Sequence, residues 1–184
     1  IDISNYKILE KNFKNSKYDF VIHLAAQAGV RHSISNPQTY FENNIKGFYN
    51  ILDISKNNSI KHFIYASSSS VYGATNKFPI KEDFDTDKPL SFYAASKKSN
   101  EIIAHSYSSI FKIPTTGLRF FTVFGPYGRP DMALFKFTKA ILDEKPIDVF
   151  NHGKHTRDFT YIDDIVHGII KTIDNPATVN PDWD

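Results

Sequence analysis

Short apolar runs alternate along this chain with longer stretches in which apolar residues recur every three or four positions. The run "FVIHLAA" (20–26) is rich in β-branched residues, with charge before it and polarity after it, and predicts a buried strand. In "NPQTYFENNIKGFYNILDISKNN" (36–58), Phe41, Ile45, Phe48 and Leu52 fall at helical spacing. "IKHFIYAS" (60–67) predicts a second strand and leads into four consecutive serines, Ser67 to Ser70. A polar, Pro-containing loop (82–90) follows, and Ser91 is placed to cap a helix running to about residue 112. "PTTGLRFF" (114–121) predicts a third strand, followed by a Gly/Pro loop at 122–131. A helix near 132–144, a short strand "IDVF" (147–150) and a helix over 163–174 complete the pattern.

Strands alternating with helices of this length build βαβ units, hence an α/β fold with a parallel sheet covered on both faces. Ligands in such sheets sit at the carboxyl ends of the strands. The loops "AQAGVRHS", "SSSVYG" and "TVFGPYGRPD" are therefore expected to face one cleft.

Composition narrows the classes. The chain has 184 residues, 41% hydrophobic and 15% aromatic, enough for a real core and against disorder. A net charge of +2 with scattered basic residues argues against nucleic acid as partner. Cysteine is absent, which removes disulfides and thiolate metal sites and suits a reducing compartment. No apolar run approaches the roughly 20 residues that cross a bilayer, and no signal-peptide pattern opens the chain. The expectation is a cytoplasmic protein with no membrane contact. His152 and His155 lack a third ligand of suitable spacing, so no metal site is expected.

Tyr93 and Lys97 form a Tyr-x-x-x-Lys pair, one turn apart on the same helix face. An ammonium beside a phenol favours the phenolate, which can act as general base toward an alcohol. The chain holds enough Tyr and Lys for one such pair by chance. The serine run upstream, at a strand end, offers a second hydroxyl for the same oxygen; the plainer reading is a polar turn. A Ser/Tyr/Lys set at that end of a parallel sheet suits hydride transfer with a dinucleotide.

Together "VIHLAAQAGVR", "NN" at 43–44, "YASSSSVYG", "YAASK", "LRFFTVFGPYGRPDM" and "RDFTYIDDI" resemble the extended short-chain dehydrogenase/reductase superfamily. Within it they are most similar to nucleotide-sugar 4-epimerases, especially those acting on UDP-glucuronate. The resemblance implies a Rossmann-like doubly wound parallel sheet with part of a smaller C-terminal substrate domain. It divides the chain into a partial NAD-binding domain (1–125) and a partial substrate-binding region (126–184). Ser68, Tyr93 and Lys97 take the catalytic roles. Asp2, Ile3, Leu24, Ala25, Ala26, Asn44, Ser67 and Phe120, with Tyr93 and Lys97, match cofactor positions, so NAD is the implied cofactor. Ser69, Ser70, Thr122, Arg129, Phe150 and Arg157 match positions facing a UDP-sugar. Arg suits carboxylate and phosphate because its fork pairs with either in two parallel bonds. For Arg129 the plainer reading is a loop ion pair with Asp131, and for Arg157 a surface Arg beside Asp158.

The family's glycine-rich dinucleotide loop is missing: no Gly-x-x-Gly-x-x-Gly turn occurs in this sequence. The resemblance therefore implies two further strands before Ile1 and more substrate-domain residues beyond Asp184. The chain alone is expected to bind NAD poorly. Ser69 and Ser70 stand where 4,6-dehydratases carry Asp and Glu, which disfavours water loss. UDP-glucose or UDP-N-acetylglucosamine 4-epimerases, and a non-catalytic nucleotide-binding sensor, are the other readings. The broad apolar faces of helices 36–58 and 91–112 can cover the sheet or pack against a second copy, and the resemblance implies a homodimer built on both.

Overall fold

A computed structural model describes residues 1–14 and 16–178. The chain forms two compact units: Ile1–Phe120 together with the chain from Ile170, and Phe121–Ile169. The sequence-based boundary at residue 125 thus falls a few residues beyond the end of the first unit's main segment.

The first unit is built on strands β1 (Phe20–His23), β2 (His62–Ala66) and β3 (Thr115–Leu118), all parallel in the order β1-β2-β3. Its helices are α1 (Tyr6–Lys14), α2 (Val30–Ser35), α3 (Pro37–Tyr40), α4 (Gly47–Lys56) and α5 (Phe92–Phe111). A π-helical turn, Phe41–Lys46, joins α3 to α4 and makes the predicted 36–58 helix one run with a bulge. Central β2 is the most buried strand, as expected where both neighbours and both faces are covered. On one face Phe63 and Tyr65 meet Leu9 of α1, Phe48, Ile51 and Leu52 of α4 and Ala104 of α5. Phe48 is the hub, with ring contacts to His23, Phe63 and Tyr65 at 5.5, 5.8 and 5.1 Å. Truncating a buried Phe of this kind costs about 3–5 kcal/mol.

On the opposite face, His62 is fully buried and spans from β3 to the end of the last helix. Its Nδ1 lies 3.1 Å from the Ile173 carbonyl and its Nε2 2.8 Å from Thr116 Oγ1. A carbonyl can only accept, so Nδ1 is the donor to Ile173.

The second unit has strands β4 (Thr122–Phe124) and β5 (Phe159–Tyr161), paired in parallel, and helix α6 (Ala133–Leu142). Helix α7 (Ile162–Ile173) begins in this unit and ends in the first. Phe124 packs its ring against Phe159 and Tyr161. Gly125 follows with φ 141°, where a Cβ would come 2.5 Å from the Ile162 side chain.

Two expectations are corrected. The stretch 122–131 is not all loop, because its first three residues form β4. "IDVF" is extended at Val149 (φ −97°, ψ 103°) but pairs with no strand among the described residues, and its last residue, Phe150, opens a 3-10 turn instead. Helices α1 and α2 are elements the pattern reading did not identify.

Candidate active site

The serine run leaves β2 as a tight turn. Ser67 and Ser68 are buried, Ser69–Tyr72 form one 3-10 turn, and Ser68 caps it, its Oγ accepting from Ser70 N at 3.2 Å. Ser69 N donates to the Phe120 carbonyl at 2.9 Å, binding the turn to the exit of β3. Gly73 ends the turn with φ 62°, and a Cβ there would come 2.5 Å from the Lys88 carbonyl oxygen, so only glycine fits. The four serines are structured wall, not slack.

Helix α5 starts as the sequence predicts, with Ser91 Oγ accepting from Ala94 N at 3.1 Å. Tyr93 stands half-buried in its first turn, with Tyr40 edge-on at 6.1 Å, and among the described residues its hydroxyl has no hydrogen-bond partner. Lys97, one turn on, is only 3% exposed, and its ammonium donates to the Ala66 carbonyl at 2.7 Å. Burial pushes the Lys97 pKa down to about 8. An ammonium has three donors; this bond leaves two for a phenolate and a ligand hydroxyl. Ser68, Tyr93 and Lys97 therefore lie on two elements fastened together at the carboxyl end of β2.

The other cofactor candidates divide. Leu24, Ala25 and Ala26 are exposed just past β1. Asn44, in the π-helical turn, is buried and clamps the same loop. Its Oδ1 accepts from Gln27 N at 2.7 Å, and its Nδ2 donates to the Gln27 carbonyl and to Ser96 Oγ. Ser96 Oγ in turn donates to the Tyr93 carbonyl at 2.7 Å. Asn44 thus links the β1 loop to the start of α5, and both of its amide protons are spent inside the protein. π-helical turns of this kind cluster at functional sites. Ser67 donates to Glu101 at 2.6 Å. Asp2 closes a local turn, accepting from Ser4 N at 2.8 Å, and the Ile3 carbonyl accepts from Asn50. Phe120 is half-buried and offers its carbonyl to Ser69.

The substrate candidates separate by unit. Ser69 and Ser70 are half-buried in the first. In the second, Thr122 opens β4 opposite Phe159. Arg129 is bidentate to Asp131, with both bonds at 2.8 Å, which holds the Asp131 carboxyl below its ordinary range. Phe150 is 54% exposed, and Arg157 is exposed, donating to the Thr156 carbonyl.

Sequence reasoning missed Glu101 and Arg119. Arg119 grips Glu101 through two bonds of 2.9 Å and lies over the Tyr72 ring. A charged residue inside the apolar strand exit "GLRFF" was the available signal. Among the described residues no cluster of three metal-ligating side chains occurs, and no helix is long and apolar enough to cross a membrane.

A model of the NAD dependent epimerase/dehydratase family matches residues 1–183. The chain belongs to that family. Protein CapI of Staphylococcus aureus is 56% identical over 183 residues, covering 100% of this chain and 55% of the relative. UDP-glucuronate 4-epimerase 4 of Arabidopsis thaliana is 53% identical over 94% of this chain and 40% of its own length. The UDP-glucuronic acid 4-epimerase of Bacillus cereus, solved with UDP-glucuronic acid and NAD, superposes with a TM-score of 0.89 at 40% identity. That match covers 98% of this chain and 56% of the solved one. The chain therefore spans about half the length of the relatives it matches. The α/β fold with parallel sheets described above matches the Rossmann-like fold of the solved enzyme.

Proposed function

We propose that the complete protein is an NAD-dependent nucleotide-sugar 4-epimerase that interconverts UDP-glucuronate and UDP-galacturonate. The observation that carries the chemistry is the buried Lys97 ammonium. It is bonded to the end of β2 two residues before Ser68 and lies on the helix face of Tyr93. Such a charge is costly to bury and is kept where it has work to do.

Tyr93, as phenolate, takes the proton from the sugar 4-hydroxyl and later returns it; Ser68 donates a hydrogen bond to the same oxygen. Lys97 supplies the counter-charge for the phenolate and a donor for a ribose hydroxyl. The exposed Leu24, Ala25 and Ala26, with Asp2, Ile3, Phe120, Tyr93 and Lys97, are the residues that would hold NAD. The two unspent Lys97 donors and the Tyr93 hydroxyl, which has no hydrogen-bond partner among the described residues, fit a ribose and a reacting alcohol. Asn44 and Ser67 belong to the same site as residues that fix its walls. NAD held by these residues would supply a reversible acceptor for the C4 hydride, so that the reaction would carry no net redox change.

Ser69, Ser70, Thr122, Arg129, Phe150 and Arg157 are proposed to meet the UDP-sugar. The hexuronate is favoured by the likeness to UDP-glucuronate 4-epimerases along nearly the whole chain. The protein is further read as cytoplasmic and as a homodimer through helices α3–α4 and α5, whose exposed faces include Phe41, Tyr49, Ile102, Ile110 and Phe111. Sedimentation of the complete protein as a monomer at micromolar concentration would remove the dimer. Substrate choice is tested by offering UDP-glucuronate, UDP-glucose and UDP-N-acetylglucosamine side by side. Turnover of the uronate at least ~10-fold faster in kcat/KM is expected. Equal or better use of either neutral sugar would overturn the uronate reading.

A further inference from the structure

Tyr93, Lys97 and Glu101 follow one another at four-residue spacing along α5 and so share a stripe of that helix. Two of the three reach the end of β2 directly: Lys97 holds the Ala66 carbonyl and Glu101 accepts from the Ser67 hydroxyl at 2.6 Å. Glu101 is also the anchor for Arg119, whose Nε and Nη2 grip its two carboxylate oxygens at 2.9 Å each. The same guanidinium sits 4.9 Å from the centre of the Tyr72 ring, and its Nη1 donates to the Glu82 carbonyl at 2.8 Å. The residue after Arg119 accepts the hydrogen bond from Ser69 N.

The serine turn is thus tied at its start through Ser67, in its middle through Ser69 and at its end through Tyr72. Each tie leads to Glu101, to Arg119 or to the residue beside it. Ser68 lies between the first two. The side chains of Glu101 and Arg119 are 15% and 23% exposed, and their contact is bidentate, so screening by solvent is limited. Burial works to raise the Glu101 carboxyl, but the bonds from Arg119 and Ser67 outweigh it and hold its pKa below the ordinary range.

We propose that Glu101 and Arg119 are positioning residues: their ion pair fixes the Ser67–Tyr72 turn, and with it the Ser68 hydroxyl, relative to Tyr93 and Lys97 on α5. Neither residue is asked to touch substrate or cofactor. The kinetic consequence rests on the epimerase reading; the structural consequence does not.

The test uses Glu101→Gln in the complete protein, a change that keeps the volume and one acceptor oxygen but removes the charge. Displacing a catalytic group by about 1 Å costs roughly 10²-fold in rate, so kcat should fall about 10- to 100-fold. KM for UDP-glucuronate should stay within about twofold, because only transition-state contacts are lost. Arg119→Lys, which keeps the charge but not the fork, should lose less. Hydrogen exchange of the backbone amides at 67–72 should quicken at least ~10-fold while those of α4 stay unchanged. Unchanged exchange at 67–72 would overturn the positioning role, as would an unchanged kcat, or a loss matching only the fraction unfolded. If the wild-type protein epimerises no nucleotide sugar, the epimerase reading falls, and the exchange measurement alone decides the positioning role.

Discussion

The turn at Ser67–Tyr72 and the loop around Arg129 use polar side chains in opposite ways. In the turn, hydroxyls and amides are spent on partners far along the chain: Ser67 on Glu101, Ser69 N on the Phe120 carbonyl. In the loop, Arg129 pairs with Asp131 two residues away, and Arg157, just before β5, likewise donates to its neighbour's carbonyl, both in solvent. The first arrangement fixes geometry before any ligand arrives. The second is held by local contacts, of which an exposed ion pair such as Arg129–Asp131 is worth about 0–1 kcal/mol and is readily exchanged for another anion. A proton-transfer apparatus needs the first kind of construction, and recognition of a flexible anionic ligand can use the second.

That contrast breaks most readily at Lys97. Lys97→Met in the complete protein should lower kcat/KM at least ~10³-fold, because a donor and the phenolate's counter-charge disappear together. Stability should not fall with it. The folded-state pKa of about 8 lies below the ordinary 10.5, so keeping this ammonium buried costs on the order of 3 kcal/mol below pH 8. Between about pH 8 and 10.5 the unfolded chain binds more protons, and this group's contribution to stability improves as pH rises. A melting temperature equal to or above wild type, measured at pH 7, is the expected result. A large drop would mean that Lys97 is structural.

The next effect lies in the core beside it. His23 is buried against Phe48 and Phe63, and burial, reinforced by the Lys97 charge, lowers its pKa to about 4. The unfolded chain takes up this proton near 6.5, so stability is lost as pH falls from there toward 4, by on the order of 3 kcal/mol. His23→Phe should flatten that limb in denaturant titrations between pH 7 and 4. Smaller again is Arg157→Ala, expected to raise KM for the nucleotide sugar about tenfold with kcat nearly unchanged, the signature of uniform binding. Smallest is the stability of Arg129→Ala, which should stay within about 0.5 kcal/mol of wild type in urea melts.

Much of the first unit was legible in the sequence. The predicted strand 60–67 and helix 91–112 lie within two residues of His62–Ala66 and Phe92–Phe111 at every end. An apolar run bounded by polar residues and a serine cap are local signals, and β2 and α5 obey them. The Tyr93–Lys97 face was legible for the same reason. What was not legible depends on distant partners. Glu101 and Arg119 are 18 residues apart in sequence, and nothing in either neighbourhood names the other. The second bond of Asn44, to Ser96 across 52 residues, is equally silent. "IDVF" failed in the reverse sense, since a short, mostly apolar run with β-branched residues met the local signal while strand pairing, which the sequence does not display, decided against it.

In the proposed C4 epimerisation, Tyr93 is the proton-transfer group. The direct measurement follows UDP-glucuronate by NMR with the complete protein and with its Tyr93→Phe variant, at equal bound NAD. Wild type should build up UDP-galacturonate, and the variant should slow this at least ~10²-fold while still binding the nucleotide sugar. Epimerisation by the variant at the wild-type rate would contradict the claim.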